Sequence, residues 1–156
     1  MQYDEGLRHR NNKRWPEAIV AYRRCVEMDP SHSEAWLGVG FAYDWQNGEK
    51  SCEAQIEPYA RCIALDPTNA AAHNNLGNVL NDMKDYDGAE RHYRKAIELD
   101  PKDTEAHWNL SNLLEKQRDD IPGAIKAVEE YIRRGNPDND GEQRLATLRH
   151  KLEGST

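Results

Sequence analysis

Carboxamides and aromatic rings are the side chains of this 156-residue sequence that stand densely enough to do chemistry. Asn74, Asn75, Asn78 and Asn81 crowd one short stretch, and Asn109 and Asn112 follow further on. A carboxamide both donates and accepts, so a row of them can pair with the C=O and N–H of a foreign backbone whatever side chains that backbone carries. Asparagine is also an indifferent helix former, which favours a binding role where it accumulates, at Asn78 and Asn112 above all. For Asn75 and Asn109 two readings stand level: contact with a guest chain, or hydrogen bonds within the protein. Leu37, Phe41 and Trp45, spaced by four, and Trp108 offer apolar anchors of the kind that fix a partner side chain. Glu34, Asp44, Asp82, Glu105 and Glu115 give these residues an acidic rim, with Lys116 as its main cation.

Something must hold these groups in a row, and the sequence supplies a repeating frame. Residues 72–80 (AHNNLGNVL) return as residues 106–114 (AHWNLSNLL), an offset of 34 that also carries Pro67 to Pro101. A period of this length means stacked supersecondary units rather than one globular core. Within 70–103, Leu76 and Leu80 make one helical stripe, and Ala89 and Tyr93 another. Gly77 and Ala96 are small enough for two helices to approach closely. Lys84 to Asp87 is a short polar turn, of a length that sets neighbouring helices antiparallel. Asp100-Pro101 stops the second helix, because the residue before proline disfavours helical backbone.

Helix, turn, helix and stop, with Gly77, Ala89, Ala96 and Pro101 at their spacing, resembles the tetratricopeptide repeat. The resemblance implies an all-α, right-handed solenoid, a single domain over 1–156 with units of about 1–32, 33–69, 70–103 and 104–137. The first unit carries Gly6, Trp15, Ala18, Tyr22 and Cys25, and starts too near Met1 for a complete opening turn. Its successor carries Trp36, Gly40, Tyr43, Tyr59, Cys62 and Pro67; Trp36 is expected in the core. The fourth has Leu110, Ser111, Leu114, Ala124 and Val128, with one extra residue in the Arg118–Asp120 turn.

Departures from the pattern are informative. Unit two is three residues longer and places Pro58 inside its second helix, where proline costs about 3 kcal/mol. A kink is expected there, or a helix that starts late after a longer Gln46–Ser51 loop. Pro16 and Pro122 instead begin helices, where a missing donor is harmless. Tyr131 replaces a small residue and should splay or re-register the helices of unit four. A last helix over about 140–152 has a capping box in Asp140 and Gln143 and an apolar stripe in Leu145, Leu148 and Leu152. Its polar face of Arg144, Arg149, His150 and Lys151 suits a terminal cap.

Several functions are disfavoured. A net charge of −7 opposes recognition led by phosphate contacts, and no stretch is apolar enough to span a bilayer. Met1 to Glu5 has no signal-peptide character. Cys25 and Cys62 take equivalent small places and read as packing; with Cys52 the count is odd, which suits a reducing compartment, most simply cytoplasm. His73 and His107 occupy equivalent places on the order of 10 Å apart, too far to share a zinc ion, and read as links between helices. Asp119-Asp120 and Asp138 to Asp140 lack the ligand order of a calcium loop and read as caps and turns. No glycine-rich phosphate loop or positioned nucleophile is present, so neither cofactor nor metal nor catalysis is expected.

Resemblance to the repeat family further implies that the first helices line a groove, with Asn75 and Asn109 at the places of an asparagine ladder. The expected function is an adaptor or scaffold that holds an extended or helical segment of a protein partner, neutral or basic, with apolar anchors. The family's clamp for a terminal carboxylate is absent: its opening lysine and asparagine places hold Leu37 and Phe41, or Tyr3 and Leu7. Its closing pair is Glu105 and Asn109, or Ala71 and Asn75. Two alternatives stand beside this reading: a targeting arm of a larger enzyme such as an O-linked N-acetylglucosamine transferase, and a self-assembling structural protein.

Overall fold

The computed structural model describes residues 2–46, 52–133 and 139–154, without the side chains of Cys52 and Asn139. These residues form nine helices and no strand: α1 (Gln2–Asn11), α2 (Trp15–Met28), α3 (Ser33–Gln46), α4 (Cys52–Leu65), α5 (Ala70–Asp82), α6 (Tyr86–Leu99), α7 (Thr104–Arg118), α8 (Ile121–Arg133) and α9 (Asn139–Glu153). Each helix packs on its predecessor and successor along the chain, which makes the protein an all-α solenoid. Close contacts also join α1 to α3 and α5 to α7, whereas α3 and α5 meet chiefly through α4.

Local chemistry explains where the helices begin. Asn69, Asp85 and Asp103 cap α5, α6 and α7 by accepting the Ala72, Gly88 and Ala106 amides, and Asp120 accepts that of Gly123 at the start of α8. Lys84 and Asp119 take left-handed backbone at φ 66° and 53°, which turns the chain between antiparallel partners. Asp29, Asp66 and Asp100 each accept the backbone amide two residues on, so one turn chemistry recurs after α2, α4 and α6.

A glycine seat repeats through the stack. A Cβ on Gly77 would lie 2.6 Å from the Tyr93 ring, and one on Gly40 would lie 2.6 Å from that of Tyr59. Tyr22 occupies the equivalent place against Gly6 and Gly38. Each tyrosine is buried, so close approach of first and second helix is what lets a large ring fill the gap between them. In the last pair this seat changes: Ser111 and Val128 stand at those places, both fully buried.

Some sequence expectations need correction. Helix α4 starts at Cys52, directly after the span of the expected longer loop, but well before Pro58, which lies inside it; residues 47–51 lie outside the described residues. Trp36 is only half-buried, its ring on the Cys25–Val26–Ala35 cluster and its Nε1 donating to the Pro30 carbonyl at 3.0 Å. Tyr131 is buried beside the His107 ring, and Gly141 of α9 makes room for it. Helix α9 starts at Asn139, which puts Asp140 inside the first turn rather than at a cap. Leu148 is buried and Leu145 partly so, but Leu152 lies at the surface. Residues 134–138, which include the expected closing proline of unit four, are outside the described residues.

The histidines link helices as expected. His73 Nδ1 lies 3.0 Å from His92 Nδ1 on α6, and its Nε2 faces the Pro67 carbonyl. His107 Nε2 repeats the latter contact at Pro101. Burial pulls His73 and His92 below the usual imidazole range, and each faces other positive charge, Lys95 and Arg91 respectively. Cys25 and Cys62 are buried free thiols, and burial pushes that of Cys62 up to about 12.

Candidate binding groove

Helices α3, α5 and α7 each begin after a turn on the same side of the stack, and their shared face opens into a groove of about 620 Å³. Phe41 and Trp45 wall it from α3, Asn75, Asn78, Asn81 and Asp82 from α5, and Glu105, Asn109, Asn112 and Lys116 from α7. Tyr93 and Gln55 close the floor from the second helices. A smaller hollow of about 280 Å³ shares Phe41, Asn75 and Glu105 and continues along Leu37 and Asn74 to Tyr3 and Arg10.

The asparagines have different roles inside this frame. Asn74 is only 3% exposed, and its Oδ1 accepts from Asn109 Nδ2 at 3.1 Å. The same Nδ2 reaches Asn78 Oδ1 at 2.9 Å, and the Tyr93 hydroxyl donates to that oxygen at 2.8 Å. Asn109 is therefore bonded within the stack, and the carbonyl half of Asn78 is used there too. Asn75 hydrogen-bonds the Tyr59 hydroxyl, which also donates to Asp44. Asn81 differs: its Oδ1 is shielded from solvent and has no partner among the described residues. Leaving a buried acceptor unpaired costs free energy.

The anchors also divide. Leu37 packs on the Tyr59–Leu76–Val79 cluster and is shared between core and hollow. Phe41 is half-buried in the groove, while Trp45 is 61% exposed beside it. Trp15 of α2 stacks on Trp45 with ring centroids 5.7 Å apart and also edges onto Phe41 at 6.2 Å. Trp108 falls outside the groove lining, contrary to expectation, because the Arg144 guanidinium sits over its ring at 4.9 Å.

Arg144 also corrects the reading of α9 and of the acidic rim. It turns inward, 17% exposed, to donate to Asn112 Oδ1 at 2.7 Å, Glu115 Oε2 at 2.9 Å and Ser111 Oγ at 3.3 Å. Lys151 adds a second cation to Glu115 at 3.2 Å. Glu115 and Asn112 are thus committed to the terminal helix, and the acidic face lies further back. Glu34, Asp44, Asp82, Asp103 and Glu105 line the two hollows against Arg10 and Lys116. Burial, with Asp82 and Glu105 adding negative charge, lifts the Tyr93 phenol above its ordinary range and keeps it a donor.

Sequence reasoning missed Trp15, Arg10, Tyr93 and Arg144 as parts of this surface. A signal existed for the last: Asn75, Asn109 and Arg144 follow one another at 34 and 35 residues, once the extra residue in the 118–120 turn is counted. Among the described residues no three His, Cys, Asp or Glu side chains gather as a metal ion would need, and no helix is long and apolar enough to cross a membrane.

Comparison with known proteins agrees with this architecture. The tetratricopeptide repeat model matches residues 70–103, and a second model of the same description matches residues 3–50, together just over half of the chain. No curated protein matches the sequence. A crystal structure of the MamA protein superimposes with a TM-score of 0.81 at 23% identity, covering 94% of this chain and 78% of that one. The PilF protein of Pseudomonas aeruginosa gives a TM-score of 0.82 at 23% identity over 98% of this chain and 68% of its own. The first tetratricopeptide domain of Spaghetti (RPAP3), solved with the HSP90 peptide SRMEEVD, gives 0.70 at 19% identity over 75% of this chain and 90% of that one. The paired helices, their glycine seats and both sequence matches have one source: the chain belongs to the tetratricopeptide repeat family.

Proposed function

We propose that the protein is a non-enzymatic interaction module, an adaptor or scaffold whose α3–α5–α7 groove holds an extended or helical segment of a protein partner. The observation that carries this reading is the groove itself: about 620 Å³, floored by a hydrogen-bonded amide network, with an exposed Trp45 on its wall. A ring largely in water gains from contact with a guest chain. The Spaghetti neighbour, which carries a peptide, supports the use of such a stack for peptide capture. The carboxylates along the groove suit a neutral or basic guest rather than an acidic tail. Buried free thiols at Cys25 and Cys62 suit a reducing compartment such as the cytoplasm.

The structure also selects the variants for a test. Asn78 and Asn112 hold the fold together through Tyr93, Asn109 and Arg144, so altering them confounds binding with stability. Trp45→Ala with Asn81→Ala touches the open surface instead. Panning a random nonapeptide library against wild type should enrich binders that the double variant holds at least tenfold less tightly, with helicity unchanged by circular dichroism. Equal affinity for both proteins would remove the groove from the function.

A further inference from the structure

We propose that the open part of the groove is a receptor for arginine: the guest is a basic segment whose guanidinium lies on the exposed face of Trp45 with the carboxylates of the groove wall, Asp82 above all, as acceptors. This rests on the groove reading above and narrows it to one class of partner. The chain itself shows how such a site is built. At the closed end, Arg144 is held by Trp108, Asn112 and Glu115, a ring, an amide oxygen and a carboxylate on successive turns of α7. At the other end, Arg10 lies over the Phe41 ring at 5.8 Å. Both internal guanidiniums therefore end on an aromatic face of this surface.

Between those two ends the same chemistry recurs without an internal arginine over Trp45. Trp45 and Asp44 come from α3, and Asn81 and Asp82 from α5, all lining one groove. Trp15 stacks on one side of Trp45 and fixes its plane, while most of the ring remains in solvent. A planar cation stacks on such a ring and donates in its own plane to oxygens beside it. A carboxylate such as Asp82 can only accept, and a guanidinium carries five donors in a planar fork. Charge points the same way, since carboxylates outnumber cations along both hollows. Lysine has a compact ammonium without a stacking plane, so it should serve less well.

Selection from a random nonapeptide library, followed by synthesis of the best binder with fluorescein, tests this directly. Enriched peptides should share an arginine. Replacing it by citrulline, which keeps the shape and loses the charge, should weaken binding at least tenfold; lysine should fall between. Asp82→Asn should shrink the arginine-over-citrulline ratio several-fold, and Trp45→Ala should abolish it. Enriched peptides without a basic residue, or citrulline binding as well as arginine, would overturn the arginine proposal and leave the groove reading standing. No enrichment over the Trp45→Ala/Asn81→Ala protein would overturn both.

Discussion

Between α3 and α5 the binding face is open, whereas between α7 and α9 the chain has closed it with its own arginine. The materials are alike: a tryptophan, amides and a carboxylate on the first helices. Their fates differ because of what lies next along the stack. Behind α3 the place that Arg144 takes at the end is held by Asn75, a short side chain that hydrogen-bonds the Tyr59 hydroxyl and leaves the groove open beside it. Behind α7 it is held by a long cation that fills the space and neutralises Glu115. Length of one side chain at one repeat place thus decides whether a stretch of the face receives guests or ends the array.

Four experiments test that contrast. The largest effect belongs to the open side. Tyr93→Ala removes a fully packed ring from its seat on Gly77 and the donor that orients Asn78, and should cost about 3–5 kcal/mol in urea unfolding. Loss of under 1 kcal/mol would show that the seat is not what holds α5 to α6.

On the closed side, Arg144→Met keeps some stem packing on Trp108 but leaves Glu115 with Lys151 alone. Hydrogen bonds to charged groups contribute about 1.5–3 kcal/mol each at most, so an overall loss of about 2 kcal/mol is expected. The same variant should let an arginine-bearing peptide reach Trp108, read as a second binding event by calorimetry. A single event would show that the closed end is not an occupied copy of the open one.

The pH dependence comes next. His73 Nε2–H donates to the Pro67 carbonyl, so His92 Nδ1–H donates to His73 Nδ1, and a further proton on His73 sets two donors face to face. Both groups titrate below the ordinary value of 6.5 in the folded chain, with Lys95 and Arg91 opposing their charge and Asp85 favouring it. The unfolded chain therefore binds protons first as pH falls. This contribution to stability is complete above about pH 6.5 and is lost as pH falls below it. Urea midpoints at pH 7.5 and 5.0 should differ, and His92→Gln should shrink the difference. An unchanged difference would acquit the pair.

The smallest stability effect belongs to Trp45→Ala. With most of its ring in water, this change should alter stability by about 0.5 kcal/mol or less while it weakens guest binding. A larger drop in stability would mark Trp45 as part of the Trp15–Phe41 packing rather than of a receptor.

Much of the frame was legible because it repeats. The 34-residue offset, the prolines at 67 and 101 and the small residues at Gly77, Ala89 and Ala96 place α5 to α7 within a residue or two. What lay hidden were contacts that depend on which neighbour fills a given place. Asparagine at 75, 78 and 109 has the right type for a guest or for the stack, and only the reach of Tyr59, Tyr93 and Asn74 sorts them. Trp108 seemed open because nothing local to α7 announces a guanidinium arriving 36 residues later. Pro58 sits inside α4, a case where tertiary packing overrides a local preference.

Wiring between successive helices also sets how the molecule comes apart. With contacts confined almost wholly to adjacent members, α9 packs chiefly on α8, and α1 is held from one end of the stack only, by α2 and α3. Such an array unzips by fraying rather than melting at one stroke, as a one-dimensional chain of coupled elements does. Amide hydrogen exchange should then run as a gradient, fastest toward the two extremities and slowest around α4 to α6, so the receptor region stays assembled after its ends have begun to open.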